Sequence, residues 1–175
     1  MKTVMFEIKG LSPLKMDKWC EYASQPKTKE GYEKCAEDKC YRDSKGNLCI
    51  ESRAVKSCIK QSAMELSGRK RKNVERSIQA GLFIEPFELS LGKKNHDGIV
   101  ADVVTRTSGK AITRVVTYRP MIKEWSCSGK LVFDESLTVD FLKQAFEVSG
   151  LRFGLLGHRP EFGRFEVVSF KEVKK

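Results

Sequence analysis

Long apolar runs are missing from this sequence of 175 residues. No segment approaches the roughly 20 consecutive apolar residues that a membrane-spanning helix requires. Residues 2–10 alternate apolar and polar side chains, which predicts a half-buried strand, whereas a signal peptide carries an unbroken apolar stretch. We therefore expect a cytoplasmic protein without a membrane partner.

Histidines and close cysteine pairs are also scarce. The chain has two histidines, His96 and His158, and their positions indicate no Ser–His–Asp arrangement. Among six cysteines only Cys35 and Cys40 form a loose pair, whereas structural zinc sites usually use two close pairs. Cys58 falls on an apolar helical face and is predicted to lie in the core. We expect no cofactor, no metal and no catalytic residue.

Acidic residues are fewer than basic ones. Lys and Arg total 33 against 23 Asp and Glu, so the formal net charge is +10. Such an excess favours an anionic partner, and nucleic acid is the first candidate. The hydrophobic content of 40% excludes a wholly disordered chain, and the length predicts a single domain over 1–175.

The periodicity predicts strands and helices in a simple order. Apolar residues at helical spacing predict helices over 52–67 and 137–149, with Ser52 and Ser136 as N-caps. The predicted order is strand, helix, several strands, helix, strand, the last strand covering about 164–171. This order is typical of an α+β fold, a ferredoxin-like or RRM-like antiparallel sheet with two main helices.

Two further segments interrupt that plan. Residues 11–48 contain prolines and dense charge, and they predict an irregular, partly helical insertion. A hairpin at about 92–120 is predicted to protrude, because 99–107 and 111–118 are rich in Val, Ile and Thr and flank Ser108-Gly109.

Basic residues gather on and after the first predicted helix. Arg53, Lys56 and Lys60 lie three and four positions apart and form one stripe, which we interpret as a phosphate-binding surface. The alternative is a solvated helix face followed by a charged loop. The stripe continues into the densest basic cluster of the chain: Arg69, Lys70, Arg71, Lys72 and Arg76.

A glycine-rich segment lies before the last strand. Gly154 and Gly157 would allow backbone N–H groups to approach phosphate oxygens, with His158, Arg159 and Arg164 beside them. Arginine binds phosphate through two parallel hydrogen bonds. The alternative is a tight turn that packs phenylalanines into the core.

Two segments of the sequence, residues 41–60 (YRDSKGNLCIESRAVKSCIK) and residues 154–165 (GLLGHRPEFGRF), carry a resemblance to a known family. They resemble the RAMP superfamily, the RRM-like subunits of CRISPR effector complexes. The first segment is similar to the superfamily's strand, I-P-G-S-S-L-K-G-x-L-R, helix segment, and the second is similar to its C-terminal glycine-rich loop. This sequence departs from the superfamily motif at Glu51, where Pro is usual, and at Ser52 and Ser57, where Gly is usual. The likeness is strongest to the backbone subunit that polymerises along guide RNA.

The resemblance implies RNA contacts at particular positions. Lys56 and Lys60 align with the lysine and arginine of the superfamily motif. A protruding hairpin in the superfamily can intercalate between segments of the guide. The alternative for this hairpin is a solvent-facing ribbon whose charges protect its edges. Its basic residues are Arg106, Lys110, Arg114 and Arg119.

Aromatic residues of the insertion are the remaining candidates. Trp19, Tyr22 and Tyr32 lie in a polar segment, and base stacking on such rings contributes to single-strand binding. Trp19 is the preferred candidate, and the alternative is that it anchors the insertion to the domain. The aromatic signature of RRM strands is missing, so the usual RRM face is not expected to bind RNA.

The predicted function is a non-catalytic single-stranded RNA-binding protein of the CRISPR backbone-subunit type. It would bind guide-like RNA and assemble along it as a homo-oligomer or with effector subunits; a virus-encoded relative that blocks interference is a variant of this hypothesis. The alternatives are a RAMP-type endoribonuclease using His158, a phage single-stranded DNA-binding protein, and a basic protein that binds an acidic protein partner.

Overall fold

The structure of the protein is a computed structural model that describes residues 1–20, 26–109 and 111–173, without the side chains of Arg69, Arg106, Ser108 and Ala111. Its strands are β1 (Lys2–Gly10), β2 (Leu14–Lys15), β3 (Cys49–Glu51), β4 (Leu82–Glu85), β5 (Glu88–Ser90), β6 (Gly98–Ser108), β7 (Ala111–Ile122), β8 (Ser126–Phe133) and β9 (Phe165–Glu172). Its α-helices are α1 (Lys29–Asp38), α2 (Ser52–Leu66), α3 (Arg71–Gly81) and α4 (Val139–Val148). None of the described helices combines the length and apolar composition needed to span a bilayer.

The main sheet has the strand order β4-β8-β1-β9, and every neighbouring pair is antiparallel. Taken with the helices between its strands, this is the ferredoxin-like α+β arrangement that the sequence predicts. Val4, Phe6 and Ile8 of β1 are buried, as their alternation indicates. The Phe6 ring lies 5.1 Å from that of Phe146 on α4 in an edge-to-face arrangement, so the helices cover one face of the sheet.

The predicted hairpin is present as β6 and β7, whose register runs from Gly98 opposite Met121 to Ser108 opposite Ala111. Its base is joined to the insertion, because β2 pairs with the end of β7. Helix α1 supplies the helical part of the insertion and packs on β7, where the Tyr32 and Tyr118 rings stack with centroids 4.1 Å apart. Tyr22 and Lys110 lie outside the described residues.

Three local predictions are wrong. The basic segment after α2 is a short 3-10 turn (Gly68–Lys70) followed by helix α3, where the sequence suggested a charged loop. Ser52 is the first residue of α2, because β3 runs directly into the helix and the Ser52 amide donates to Phe87 O at 2.7 Å. Thr138 caps α4 through its bond from the Phe141 amide, since Ser136 is bound to Asp134.

The glycine-rich segment at 154–164 folds back on itself and on the β1–β2 connection. The Gly163 amide donates to Pro13 O at 2.9 Å, and Gly163 O accepts from the Leu155 amide at 2.9 Å. Gly163 has φ +75°, and a Cβ there would lie 2.0 Å from Leu155 O. Neither the backbone conformation nor the space tolerates a side chain, so this glycine determines the path of the loop.

Replacing Gly163 by Ala should therefore lower the free energy of unfolding by clearly more than the roughly 1–2 kcal/mol that a left-handed conformation alone costs an L-residue. Urea unfolding followed by circular dichroism measures the loss. Gly46→Ala is the matched control, because Gly46 has φ +80° and no atom lies within 4 Å of the place that a Cβ would take there. Equal losses in the two variants would contradict a packing role for Gly163.

Candidate nucleic-acid interface

The basic stripe of α2 lies against α3. The Lys56 ammonium donates to Gln79 O of α3 at 2.9 Å, and Lys60 pairs with Glu75 of α3 at 3.3 Å. Burial, with a smaller effect of Lys60, lowers the pKa of Lys56. Both lysines are half-buried, so part of their charge serves to hold the two helices together. Arg53 is exposed and pairs with Glu51.

The cluster that follows supplies the exposed positive charge of the helix pair. Lys70 precedes α3, Arg71 and Lys72 form its first turn, and Arg76 lies one turn further; all four are exposed. The Arg69 side chain lies outside the described part of the structure. Helix formation places these cations on the same helix that contacts Lys56 and Lys60. We refer to this surface, from Arg53 to Arg76, as the helix-pair surface.

The glycine-rich loop borders α2 on its other side. The Cys58 thiol of α2 donates to Gly154 O at 3.1 Å, and burial raises the pKa of Cys58 to about 11, as expected of a core residue. A cleft of about 460 Å³ opens above this contact. It is lined by Gln61 of α2 and by Arg152, Phe153, Leu156, His158, Arg159 and Pro160.

The loop's glycines do not present their amides to a ligand. Gly154, Gly157 and Gly163 donate to Ser149 O, Lys15 O and Pro13 O, respectively. Of the loop's predicted binding residues, the cations Arg159 and Arg164 are exposed. Arg152 and Gln61 were not predicted from the sequence, because Gln61 is uncharged and Arg152, between Gly150 and Gly154, has no basic residue beside it; only the fold brings both to the cleft.

The base of the hairpin carries a largely buried ionic network. Asp102 of β6 accepts from Lys15 at 3.0 Å and from Arg119 of β7 at 3.1 Å. Arg119 also pairs with Asp17 at 2.7 Å, and Asp17 pairs with Lys39 at 3.1 Å. Arg119 is therefore a buried structural residue, and the suggestion that it is one of the hairpin's surface charges is wrong.

The network determines the charge state of its two carboxylates. Burial by itself raises the pKa of Asp102, but hydrogen bonds from Lys15 and Arg119 outweigh it and leave that pKa below its ordinary value of 3.8. Burial also raises the pKa of Asp17, but hydrogen bonds from Arg119 and Lys39 outweigh this effect and leave that pKa below its ordinary value. Both side chains are thus ionised at neutral pH, and each bridges two cations.

His158 connects this network to the glycine-rich loop. Its Nε2 lies 3.7 Å from Asp102 Oδ2, and the Lys15 ammonium lies 4.0 Å from the centroid of the Phe162 ring. The side chain of His158 is about one-third exposed and lines the cleft. The loop is therefore held between α2 on one side and the hairpin on the other.

The remaining predicted nucleic-acid-binding residues are Trp19 and the basic residues toward the tip of the hairpin. Trp19 is 83% exposed and borders a groove of about 290 Å³ that Arg119, Lys39 and Thr117 also line. Arg114 is exposed opposite Thr105, whereas the Arg106 side chain is not described. Tyr32 stacks on Tyr118, so its ring is engaged within the protein.

The predicted residues that the structure describes fall into groups that adjoin one another, and we refer to the succession of these groups as the basic course. The helix-pair surface adjoins the cleft through α2, the cleft adjoins the hairpin base through His158 and Asp102, and Arg119 borders the Trp19 groove. Among the described residues, no group of His, Cys, Asp and Glu side chains is arranged to hold a metal ion.

Comparison with known proteins bears on the fold. No protein-family model and no curated protein matches the sequence. Among solved structures, a chain in the cryo-EM structure of the Type III-B Cmr-beta bound to cognate target RNA matches with a TM-score of 0.59 and 12% identity. The match covers 99% of this chain and 61% of the other, so this chain spans about three-fifths of its neighbour's length. This likeness shows that the two chains share a fold.

Asp102→Asn should destabilise the protein by about 3 kcal/mol, because it leaves the buried Lys15 ammonium without its carboxylate partner and leaves Arg119 with Asp17 alone. The stabilisation from a carboxylate with a lowered pKa is complete above its ordinary pKa of 3.8 and is lost as the pH falls through the folded value. Unfolding measured between pH 2 and 7 should therefore show a smaller difference between variant and wild type at low pH. Glu135→Gln, at an exposed loop carboxylate, should change little; a difference that is independent of pH would contradict the proposed role of the Asp102 charge.

Proposed function

We propose that this chain is a non-catalytic single-stranded RNA-binding protein of the RAMP type, which binds guide-like RNA as a subunit of a CRISPR effector complex. The observation that carries the proposal is the basic course, in which the helix-pair surface, the cleft and the hairpin base adjoin one another on a fold shared with a chain of an RNA-bound Cmr structure. Cations along such a course neutralise phosphates without reading base sequence.

Under this proposal, an RNA strand would meet the binding groups in a definite order. Exposed cations on α3 would contact phosphates at one end, Arg159 and Arg164 at the glycine-rich loop, and Arg114 at the hairpin. Trp19 offers a ring for base stacking near the hairpin base. Assembly along RNA or with effector subunits belongs to the same proposal, and discrete lengths of co-purified RNA would support it. A virus-encoded relative would instead inhibit target cleavage when added to a reconstituted effector complex.

Changing Arg69, Lys70, Arg71 and Lys72 together to Ala should weaken RNA binding and reduce its salt dependence. The slope of log K against log salt should fall by about 2 to 3, the contribution of three to four phosphates at roughly 0.7 each for a single strand. Fluorescence anisotropy with a labelled oligonucleotide at several salt concentrations measures it.

A matched control removes four exposed lysines from other surfaces, namely Lys29, Lys34, Lys143 and Lys171. It has the same net charge as the cluster variant and should keep the wild-type slope. If both variants lose the same slope, net charge and not the cluster determines binding. Competition between RNA and DNA oligonucleotides of one sequence distinguishes the single-stranded DNA alternative, because the 2′-OH is the group that differs.

The endoribonuclease alternative rests on His158, which is exposed in a cleft lined by Arg152 and Arg159. We expect wild-type protein to leave end-labelled RNA intact, with or without divalent metal, since Asp17 and Asp102 are each occupied by cations. Product formation by wild type that disappears in His158→Ala would replace the binding proposal by a catalytic one.

A further inference from the structure

Two phenylalanines at the β4 edge of the main sheet are exposed and do not belong to the buried core. Phe83 is 48% exposed and Phe87 is 57% exposed, whereas Leu82 and Ile84, the residues on either side of Phe83 in β4, are buried. An exposed phenylalanine by itself is common on protein surfaces. Two exposed phenylalanines within five residues of sequence, next to basic side chains, form a patch that is both aromatic and positively charged.

Contacts to α2 place the Phe83 ring and the Phe87 backbone along this helix. Phe87 is held there by its carbonyl, which accepts from the Ser52 amide at 2.7 Å. The ring centroid of Phe83 lies 5.4 Å from the Lys56 ammonium. Ser52 and Lys56 are four residues apart, so they lie on one face about one turn, or roughly 5–6 Å, from each other. Phe87 and Phe83 therefore adjoin successive turns of α2.

Positive charge lies on the turns of α2 that Phe87 and Phe83 adjoin. The Arg53 side chain, in the first turn of α2, is 72% exposed, and Lys56 lies over the edge of the same patch. The nearby carboxylates have partners: Glu51 pairs with Arg53, and Glu85 pairs with Lys130 at 2.7 Å. Lys56 also contacts Gln79 of α3, so the patch is continuous with the helix-pair surface.

We propose that Phe83 and Phe87 form a stacking platform for unpaired bases of a single-stranded RNA whose phosphates contact Arg53 and Lys56. Proteins that bind single strands combine cations that follow the backbone with aromatic rings that stack on the bases, and these two components adjoin here. The inference rests on the proposed function and extends it to residues outside the basic course. Flanking charge favours this occupant over an apolar protein segment.

The test compares wild type with Phe83→Ala, Phe87→Ala and the double variant, using a fluorescently labelled oligouridine RNA. Each substitution should weaken binding by about 5- to 150-fold, the range for one lost base stack. The slope of log K against log salt should stay unchanged, since no phosphate contact is removed. A 2-aminopurine placed in the RNA should be quenched on binding wild type and less so on binding the double variant.

Three further variants of this chain serve as controls. Phe83→Trp should retain or strengthen binding, because it preserves an aromatic face, and Phe87→Leu should behave like Phe87→Ala. Val168→Ala, at a 54% exposed apolar position on the opposite edge strand β9, should bind as wild type does. Circular dichroism confirms that each variant is folded.

The outcomes separate the two proposals. If wild type binds no RNA at low salt, the proposed function fails, and the platform fails with it. If wild type binds RNA and the double variant binds equally well, the platform alone is overturned, and Phe83 and Phe87 become a surface for a protein partner. Equal losses in Phe83→Trp and Phe83→Ala would also overturn it, because stacking requires only an aromatic face.

Discussion

The carboxylate of Asp102 is the constraint on which the arrangement of the proposed interface depends. It receives Lys15 from β2 and Arg119 from β7, and it faces His158 of the glycine-rich loop. Three segments far apart in sequence are therefore oriented by one largely buried charge. Without that carboxylate the buried Lys15 ammonium would lose its ion-pair partner, so Asp102 stabilises the contact between the insertion and the hairpin.

Positive charge in this protein has two separate uses. Lys15, Lys39 and Arg119 are buried and paired, and they hold the insertion against the hairpin. Exposed cations of α3 and of the glycine-rich loop remain available for an anionic partner. Lys56 and Lys60 belong to both groups, because each joins α2 to α3 and is still half exposed. Net charge alone therefore overstates the binding surface.

Much of the fold was predictable because its signals are local. The alternation in β1, the helical spacing of α2 and α4, and the β-rich hairpin all appear where the periodicity places them. Helix α3 was not predicted, since its charges outnumber its apolar residues and its stability depends on packing against α2. The roles of Arg119 and Asp102 were equally hidden, because their partners lie 17 to 102 residues away in sequence.

By itself, the sequence determined the sheet, the two main helices, the hairpin and the identity of the basic clusters, because periodicity and composition act over a few residues. Only the tertiary structure decided which cations are buried and which are exposed, and that the glycine amides are used within the protein. It also brought Phe83 and Phe87 beside Arg53 and Lys56. The physical reason is that burial and pairing depend on contacts between distant segments, which local patterns do not encode.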